Sequence, residues 1–429
     1  MRILLIGASG FIGSAVAARL RREGHEIVGV GRAGGAEAAR VAVDRWVRLD
    51  LRQATEPEVW APHVSGIDSV VNCAGTLQDS PRDDTARVHD AAPTALWQAC
   101  ERAGVRRVIQ MSALGVDRPA SRFSATKHRG DAALEASTLD WVILRPSVVL
   151  GRAAYGGSAL FRGLAALPVL PRAPQAGALD VVQLDDVAET VALLLRRGAP
   201  SRLTLDLAGL ERLSFEELVG RYRAWLGWKP ARLVSVPGFA MNLGYRVGDL
   251  IAWLGWRPPI RTTARREIER GAMADAGAWR AATGIEPQSL SATLAAEPAS
   301  VQERWFARLY LLKPVAIGVF ALFWLLTGLV SLGPGFELAA EYMRRGGGGA
   351  LSEPSVVAGG ITDLLVACGI AWRRTSRLAL WAALGLSVLY LVAGTILLPE
   401  LWRDPLGPMM KIWPILALNL VCLAILDER

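Results

Sequence analysis

The chain begins with Met1-Arg-Ile-Leu-Leu-Ile-Gly-Ala-Ser-Gly-Phe-Ile-Gly13, an apolar run that leads straight into three glycines. Residues 3–6 are apolar on both faces, as a central parallel strand requires, and residues 15–22 continue with helical periodicity. The glycines therefore occupy a strand-to-helix turn, where the backbone approaches a pyrophosphate closely and the helix N-terminus stabilises its charge. This arrangement predicts a dinucleotide-binding βαβ unit, and an ordinary tight turn is the alternative.

Strand and helix patterns continue to alternate through the first 150 residues. Five more strands are predicted, at residues 25–31, 46–49, 69–72, 107–111 and 141–144, with helical stretches such as 91–103 and 127–137 between them. This alternation predicts an α/β doubly wound parallel sheet of the Rossmann type. In such sheets the ligands bind beyond the carboxyl ends of the strands, so the residues that close each strand are candidate site residues.

The residue after the second strand bears on the choice of dinucleotide. A site specific for NAD places an acid there, on the ribose 2′-hydroxyl, but this sequence has Gly31-Arg32. Because an arginine suits a 2′-phosphate, the sequence favours NADP, with NAD as the alternative cofactor. A solvated surface arginine is the other interpretation of Arg32.

The C-terminal part is far more apolar than the rest of the chain, which is 429 residues long and 52% apolar overall. Four apolar runs occur there, and Asp363 is their only charged residue; the runs are residues 314–332, 356–372, 378–398 and 412–426. We predict an all-α domain of four transmembrane helices, because four such runs in succession are not expected of buried core helices. Asp363 is predicted to be either functional or paired, with Asn419 as the candidate partner.

The distribution of arginines predicts the orientation in the membrane. Residues 373–377 carry three arginines and no acid, whereas residues 333–355 and 399–411 carry both signs. The basic loop is therefore expected in the cytoplasm, together with both termini, in a multi-pass protein of the inner (plasma) membrane. The apolar run at the N-terminus is too brief for a signal peptide. Four scattered cysteines fit a reducing compartment; they are Cys73, Cys100, Cys368 and Cys422.

Two other classes of site are not predicted. The net charge of +8 arises from arginines spread along the chain, so an anionic membrane surface is a better explanation than nucleic acid. The four histidines lie far apart, and no cysteine or acid gives them zinc-ligand spacing; they are His25, His63, His89 and His128.

Several motifs then occur in the order typical of one superfamily. They are Gly7-x-x-Gly-x-x-Gly13, Asp50-Leu51, Asn72-Cys-Ala-Gly75, Ser112, Lys127 and Leu144-Arg-Pro-Ser147. To about residue 300 the chain resembles the short-chain dehydrogenase/reductases, in particular the atypical NAD(P)-binding members similar to the complex I accessory subunit. The apolar tail resembles a DoxX-like domain. The resemblance implies a Rossmann core at 1–150, a substrate-binding part at 151–300, a linker at 301–313 and a membrane domain at 314–429.

The resemblance also implies roles for single residues. Asp50 would contact the adenine amino group, Asn72 to Gly75 would line the adenine ribose, and Ser112 would lie beside the nicotinamide, whose pocket Pro146 and Ser147 would shape. The predicted cofactor-binding residues are Gly7, Ser9, Gly10, Phe11, Ile12, Gly13, Arg32, Asp50, Leu51, Asn72, Ala74, Gly75, Lys127, Pro146 and Ser147.

One position departs from the superfamily pattern. The proton-donating tyrosine, four residues before the lysine, is replaced by Phe123. Lys127 is one of only four lysines and is predicted to bind the nicotinamide ribose, with an exposed helix lysine as the alternative. The predicted catalytic residues are Lys127, Ser112 and Tyr155. Tyr155 is a candidate replacement acid, although a tyrosine in such a loop is also typical of packing or of a lid.

Two functions therefore stay open at this point. One is a membrane-anchored NADP-dependent oxidoreductase acting on a hydrophobic carbonyl or a quinone-like compound. The other is an NAD(P)H-binding protein without turnover, an alternative that stays open because Phe123 replaces the proton-donating tyrosine. Residues 235–256, apolar apart from Arg246 and Asp249, are expected to form a core helix pair, with an interfacial helix lying on the bilayer as the alternative.

Overall fold

A computed structural model describes residues 1–32, 34, 36–173 and 175–427 of the chain. The chain folds as two compact units, one made of Met1–Asp249 with Pro258–Ala307 and the other of Leu250–Arg257 with Arg308–Arg429. The strands in the described residues are β1 (Arg2–Ile6), β2 (Glu26–Gly31), β3 (Arg45–Arg48), β4 (Ser69–Asn72), β5 (Arg107–Met111), β6 (Trp141–Pro146), β7 (Val148–Leu150), β8 (Val169–Pro171), β9 (Leu179–Gln183), β10 (Leu203–Leu207), β11 (Arg212–Leu213) and β12 (Arg232–Val234).

Helices account for most of the remaining described residues. They are α1 (Phe11–Arg22), α2 (Ala36–Ala39), α3 (Pro57–Val64), α4 (Ala92–Ala103), α5 (Arg122–Glu135), α6 (Gly157–Ala165), α7 (Leu184–Leu195), α8 (Phe215–Trp225), α9 (Gly238–Trp253), α10 (Thr262–Arg270), α11 (Gly277–Thr283), α12 (Leu290–Ala296), α13 (Val301–Leu332), α14 (Phe336–Arg345), α15 (Ser352–Ala371), α16 (Ser376–Leu397) and α17 (Ile412–Ile425). A π-helical turn, Arg87–Ala91, leads into α4.

A seven-stranded parallel sheet, in the order β10-β6-β5-β4-β1-β2-β3, forms the centre of the first unit. β1 lies inside it because residues 3–6 are apolar and fully buried, which suits a strand covered on both faces. It pairs with β2 on one side and β4 on the other, with Ile3 opposite both Ile27 and Ser69. The strand order reverses here, so the carboxyl ends of β1 and β4 flank the crevice in which such sheets bind ligands.

Helices cover both faces of this sheet. Val16 of α1 and Val191 of α7 belong to the core on one face, whereas Trp60 of α3 and Trp97 of α4 belong to the core on the other. The prediction of a doubly wound α/β sheet is confirmed, with each predicted strand present to within a few residues. β10 was not predicted, because two of its five residues, Thr204 and Asp206, are polar, as suits the edge of a sheet.

Smaller sheets complete the first unit. β11, β9 and β7 form one sheet and β12 pairs with β8, while Phe161, Phe215 and Tyr222 are part of the apolar core beside them. Residues 235–256 do not form the expected core helix pair. The structure has a single helix there, α9, and several of its large apolar side chains are exposed. A helix pair is wrong because the segment contains no turn before Gly255.

The C-terminal unit is helical. Among the described residues, α13, α15 and α16 are long and apolar enough to cross a membrane, whereas α17 has only 14 residues. At 1.5 Å per residue α17 is about 21 Å long, which is shorter than a hydrocarbon core of about 30 Å. Four apolar helices were predicted, and three of them reach spanning length. The predicted linker, residues 301–313, is the first part of α13.

Asp363 lies in the middle of α15 and is buried. Its Oδ1 accepts a hydrogen bond of 3.1 Å from the hydroxyl of Tyr390 on α16. Asn419, the partner considered from the sequence, is buried on α17, but its side chain makes no hydrogen bond within the described residues. The partner of Asp363 is therefore Tyr390, because the packing of α15 against α16 decides which side chains meet.

Candidate active site

The glycine turn after β1 is built by close backbone contacts. Gly7 has a φ of +74°, and its N–H donates to the carbonyl of Val30 at 2.9 Å. A Cβ at Gly13 would lie 2.2 Å from the carbonyl oxygen of Gly7, and one at Gly7 would lie 2.9 Å from the backbone nitrogen of Ala74. The N-cap residue of α1 is Gly10, which has no side chain to accept hydrogen bonds from the helix. The first N–H groups of α1 therefore face the crevice without a side-chain partner at the N-cap. This is the geometry that binds a pyrophosphate.

The loop after β4 forms the next wall of the crevice. The side-chain oxygen of Asn72 accepts the N–H of Ala74 at 3.1 Å, and its amide donates to Gln110 on β5 at 2.8 Å. These bonds hold the loop of residues 72–75, whose Ala74 backbone borders Gly7.

Charged side chains surround the ends of β2 and β3. Arg32 donates to the carbonyl of Arg82 at 2.7 Å and pairs with Asp83 at 2.9 Å. Asp50 accepts from the Arg52 guanidinium at 2.6 Å, and this bond lowers the pKa of the carboxyl. A polar cavity of about 460 Å³ lies beside them; it is lined by Arg52, Gln53, Asp79, Ser80, Asp83, Asp84, Arg87 and Arg122.

Lys127 on α5 points into the crevice from the opposite side. It is buried, and its Nζ donates to the carbonyl of Met111, the last residue of β5, at 2.7 Å. A Cβ at Gly75 would lie 3.6 Å from this Nζ, so the ammonium borders the loop after β4. Burial lowers the pKa of Lys127. The exposed-lysine interpretation is wrong, because the side chain turns inward toward the carboxyl end of the sheet.

His89 forms a chain of hydrogen bonds below Lys127. Its Nε2 accepts the N–H of Thr76 at 3.0 Å, so its Nδ1 carries the proton and donates to Thr126 at 2.8 Å. Thr126 in turn donates to the carbonyl of Phe123 at 3.0 Å. Burial, and after it the charge of Lys127, holds the pKa of His89 well below its usual value. The hydrogen bonds at both ring nitrogens therefore fit a neutral imidazole.

Ser112, directly after β5, makes a buried hydrogen bond to α5. Its hydroxyl donates to Oδ2 of Asp131 on α5 at 2.6 Å, and both side chains are buried. Arg145 lies 3.5 Å from the same oxygen, while burial raises the pKa of Asp131. Ser112 therefore connects β5 to α5 through a residue that the sequence analysis did not single out.

Phe123, which stands where the superfamily has its proton donor, and Tyr155, the candidate replacement acid, lie at different places. The ring of Phe123 meets the ring of His89 edge-on, with centroids 5.4 Å apart. Tyr155 stacks on Phe11 at the start of α1, with centroids 6.2 Å apart and planes 7° apart. Tyr155 is thus brought to the glycine turn, whereas Phe123 lies one helical turn before Lys127.

A charged helix that the sequence analysis missed covers the segment before α5. Glu267 of α10 accepts hydrogen bonds from the hydroxyls of Ser121 and Ser124, and Arg270 donates to the carbonyl of Leu114 at 2.8 Å. A Cβ at Gly115 would lie 2.9 Å from Nε of Arg270. No local pattern could reveal these contacts, because about 150 residues separate the partners.

Comparison with known proteins agrees with this geometry. Residues 7–195 match the family of NAD(P)H-binding proteins, and residues 321–420 match the DoxX-like family. The 3-diazoavenalumate denitrifying reductase of a Streptomyces species is 30% identical over 279 aligned positions, covering 57% of this chain and 88% of the relative. The chain belongs to the NAD(P)H-binding Rossmann family. It also carries a C-terminal DoxX-like membrane domain.

This NAD(P)-binding protein is also similar to proteins with which it shares lower sequence identity. The ceramide reductase of Caulobacter vibrioides is 22% identical over 245 positions, covering 55% of this chain and 73% of the relative. Uncharacterized Mycobacterium tuberculosis proteins are 28% identical over 226 positions, and the chain spans only 23% of their length. The Bordetella bronchiseptica enzyme WbmG in complex with NAD has a TM-score of 0.54 at 18% identity, covering 72% of this chain and 96% of that one. This likeness shows the fold alone.

Proposed function

We propose that the protein is a membrane-anchored, NADP-dependent oxidoreductase that reduces a hydrophobic carbonyl or quinone-like compound. The observation that carries the proposal is Lys127, buried on α5 and held by the carbonyl of Met111 at the carboxyl end of the sheet. A buried ammonium is costly, and a nicotinamide ribose in the crevice would provide the partners that compensate for the cost. Two relatives named as reductases support the same class of reaction.

The residues fit an NAD(P) dinucleotide. The backbone contacts at Gly7 and Gly13 leave no room for a Cβ, which is the requirement of a turn that cradles phosphates. The N–H groups at the start of α1 would hold the pyrophosphate, Asn72 to Gly75 would line the adenine ribose, and Asp50 would face the adenine. When bound, the nicotinamide supplies a hydride.

The side chains of the site have separate tasks in this proposal. Within the described residues the Lys127 ammonium makes one hydrogen bond, to the carbonyl of Met111. Its remaining N–H groups are available to donate to the ribose hydroxyls and so orient the ribose. Neutral His89 and Phe123 keep the wall beside Lys127 uncharged. Phe123 cannot donate a proton to the substrate. The hydride acceptor is therefore either a quinone-like compound, which needs no side-chain proton in the slow step, or a compound that takes its proton from water or from Tyr155.

Hydride transfer by the wild-type chain tests the proposal directly. NADPH deuterated at the nicotinamide C4 is incubated with the full chain in nanodiscs and with a panel of quinones and hydrophobic ketones. We expect deuterium to be lost from one face only. Lys127→Met should weaken NADPH binding by about 1.5–3 kcal/mol, while Lys229→Met, at an exposed position, should not. Tight NADPH binding with no transfer to any acceptor would instead support a cofactor-binding protein without turnover.

The choice of NADP rests on Arg32. We expect the wild-type chain to bind NADPH more tightly than NADH, since a guanidinium forms charge-assisted hydrogen bonds to a phosphate. Arg32→Ala should cost about 1.5–3 kcal/mol of NADPH binding and leave NADH binding unchanged. Arg22→Ala, at an exposed position on α1, is the matched control for loss of one positive charge. Equal affinities of the wild-type chain for both nucleotides would contradict the assignment.

We also propose that the Rossmann part and both termini face the cytoplasm of the inner membrane, on the basis of the arginines at 373–377. In a chain whose four cysteines are replaced by alanine, Thr375→Cys and Gly347→Cys introduce thiols at exposed positions of opposite loops. An impermeant reagent applied to intact cells should label Gly347→Cys and not Thr375→Cys. The reverse pattern would overturn the orientation.

A further inference from the structure

The helix α9 presents a row of large apolar side chains to the outside. Phe239, Leu243, Leu250 and Trp253 are 61–76% exposed, and Val247 is 44% exposed. At about 100° per residue, these five positions fall within an arc of about 120° on the helix. The row therefore covers one continuous face over four helical turns. Contiguous exposed apolar faces of this kind mark interaction sites.

The opposite side of α9 is held by specific contacts, and these contacts define which face of the helix is exposed. Asp249 accepts hydrogen bonds from Thr262 at 2.7 Å and from Gln78 at 3.0 Å. Gly248 is packed against the carbonyl of Ile260, where a Cβ would lie 1.9 Å from the oxygen. These contacts set the rotation of the helix about its axis.

The C-terminal end of α9 is joined to a membrane span. The indole N–H of Trp256 donates at 2.7 Å to the carbonyl of Ala371, the last residue of α15. The N–H of Arg373 donates at 3.0 Å to the carbonyl of Leu254, and its guanidinium lies 5.5 Å from the centre of the Trp256 ring. This end of α9 therefore lies level with the C-terminal end of α15, a helix long and apolar enough to cross a membrane.

The charges at this level favour a lipid surface as the partner. Arg246 is exposed within the apolar face of α9, and Arg374 is exposed next to the end of α15. Arginine side chains bury their apolar stems and extend their charged groups to lipid phosphates. A helix with an apolar face, a basic residue and tryptophan at its end matches the composition of helices that lie in the plane of a membrane surface.

We infer that α9 is an interfacial membrane helix, whose apolar face inserts between the headgroups and the upper acyl chains of an anionic lipid surface. The inference concerns binding to the bilayer and does not depend on catalysis. A second protein chain on this face is the competing occupant.

Site-directed spin labelling of the full chain tests the inference. The four native cysteines are replaced by alanine, NADPH binding is checked, and a nitroxide is attached at Leu243→Cys or Val247→Cys in nanodiscs that contain phosphatidylglycerol. Oxygen should relax both labels more than a water-soluble nickel chelate does, at a depth of about 5–10 Å below the phosphates. A label at Ala132→Cys, exposed on α5, is the control and should respond mainly to nickel.

Each other result contradicts the inference. Labels at Leu243→Cys and Val247→Cys that respond to nickel as the control does would place α9 in water. Labels shielded from both oxygen and nickel would mean that protein covers the face. If one substitution prevents folding, the other and Phe239→Cys give the same test on the same face.

Discussion

Phe123→Tyr is expected to raise the rate of NADPH-dependent reduction of hydrophobic ketones by about 10²-fold or more, because a placed proton donor contributes about 10²–10⁴-fold. The new hydroxyl would stand one helical turn before Lys127, on the helix that already brings the ammonium to the carboxyl end of β5. Phe123 is half-buried and its ring meets His89 edge-on, and tyrosine keeps the same ring while adding one hydroxyl. Initial rates of NADPH oxidation with a ketone panel measure the effect.

Two controls make this test specific. Phe123→Leu changes the same position without adding a hydroxyl and should not raise the rate. Lys127→Met combined with Phe123→Tyr should remove the gain, because the lysine orients the ribose beside the new donor. If wild type and Phe123→Tyr both bind NADPH and neither consumes it with any acceptor, the oxidoreductase proposal is abandoned in favour of the cofactor-binding one.

The parts of the fold that could be predicted are those with a local cause. Residues 3–6 are apolar on both faces because β1 is covered by helices on both sides, so the sequence pattern and the burial have the same origin. The strand-to-helix turn could be located for a similar reason. The glycines are needed wherever the backbone itself fills the space, as the Gly7 carbonyl does beside Gly13. Arg32 could be placed at the end of β2, but its pairing with Asp83 depends on residues far along the chain.

The parts that could not be predicted depend on which side chains meet across the fold. Nothing near His89 in the sequence indicates that its ring donates to Thr126, 37 residues later, or that burial keeps it neutral. Ser112 is expected beside the nicotinamide, but its hydrogen bond to Asp131 on α5 could not be read from the sequence, because the two residues meet only in the fold. In the membrane domain, hydropathy located the helices, whereas the pairing of Asp363 with Tyr390 depends on how the helices are rotated against each other.

Gly13→Ala is expected to abolish NAD(P)H binding and to destabilise the Rossmann part. The added Cβ would lie 2.2 Å from the Gly7 carbonyl oxygen, and since that atom belongs to the backbone of the phosphate turn, the turn itself must shift. Overpacking of this kind costs about 1–3 kcal/mol in stability, and the same shift moves the N–H groups of α1 away from the pyrophosphate, so the variant no longer binds NAD(P)H.

Gly220→Ala is the matched control for this change. It makes the same substitution inside α8, where nothing lies within 4 Å of the new Cβ, and it should stabilise the chain by about 1 kcal/mol because alanine is the better helix former. Thermal unfolding with and without NADPH separates the two effects. NADPH should stabilise the wild-type chain and Gly220→Ala, because a ligand that binds the native state stabilises it. It should not stabilise Gly13→Ala. A normal NADPH-induced rise in the melting temperature of Gly13→Ala would show that the cofactor binds elsewhere than at the turn after β1.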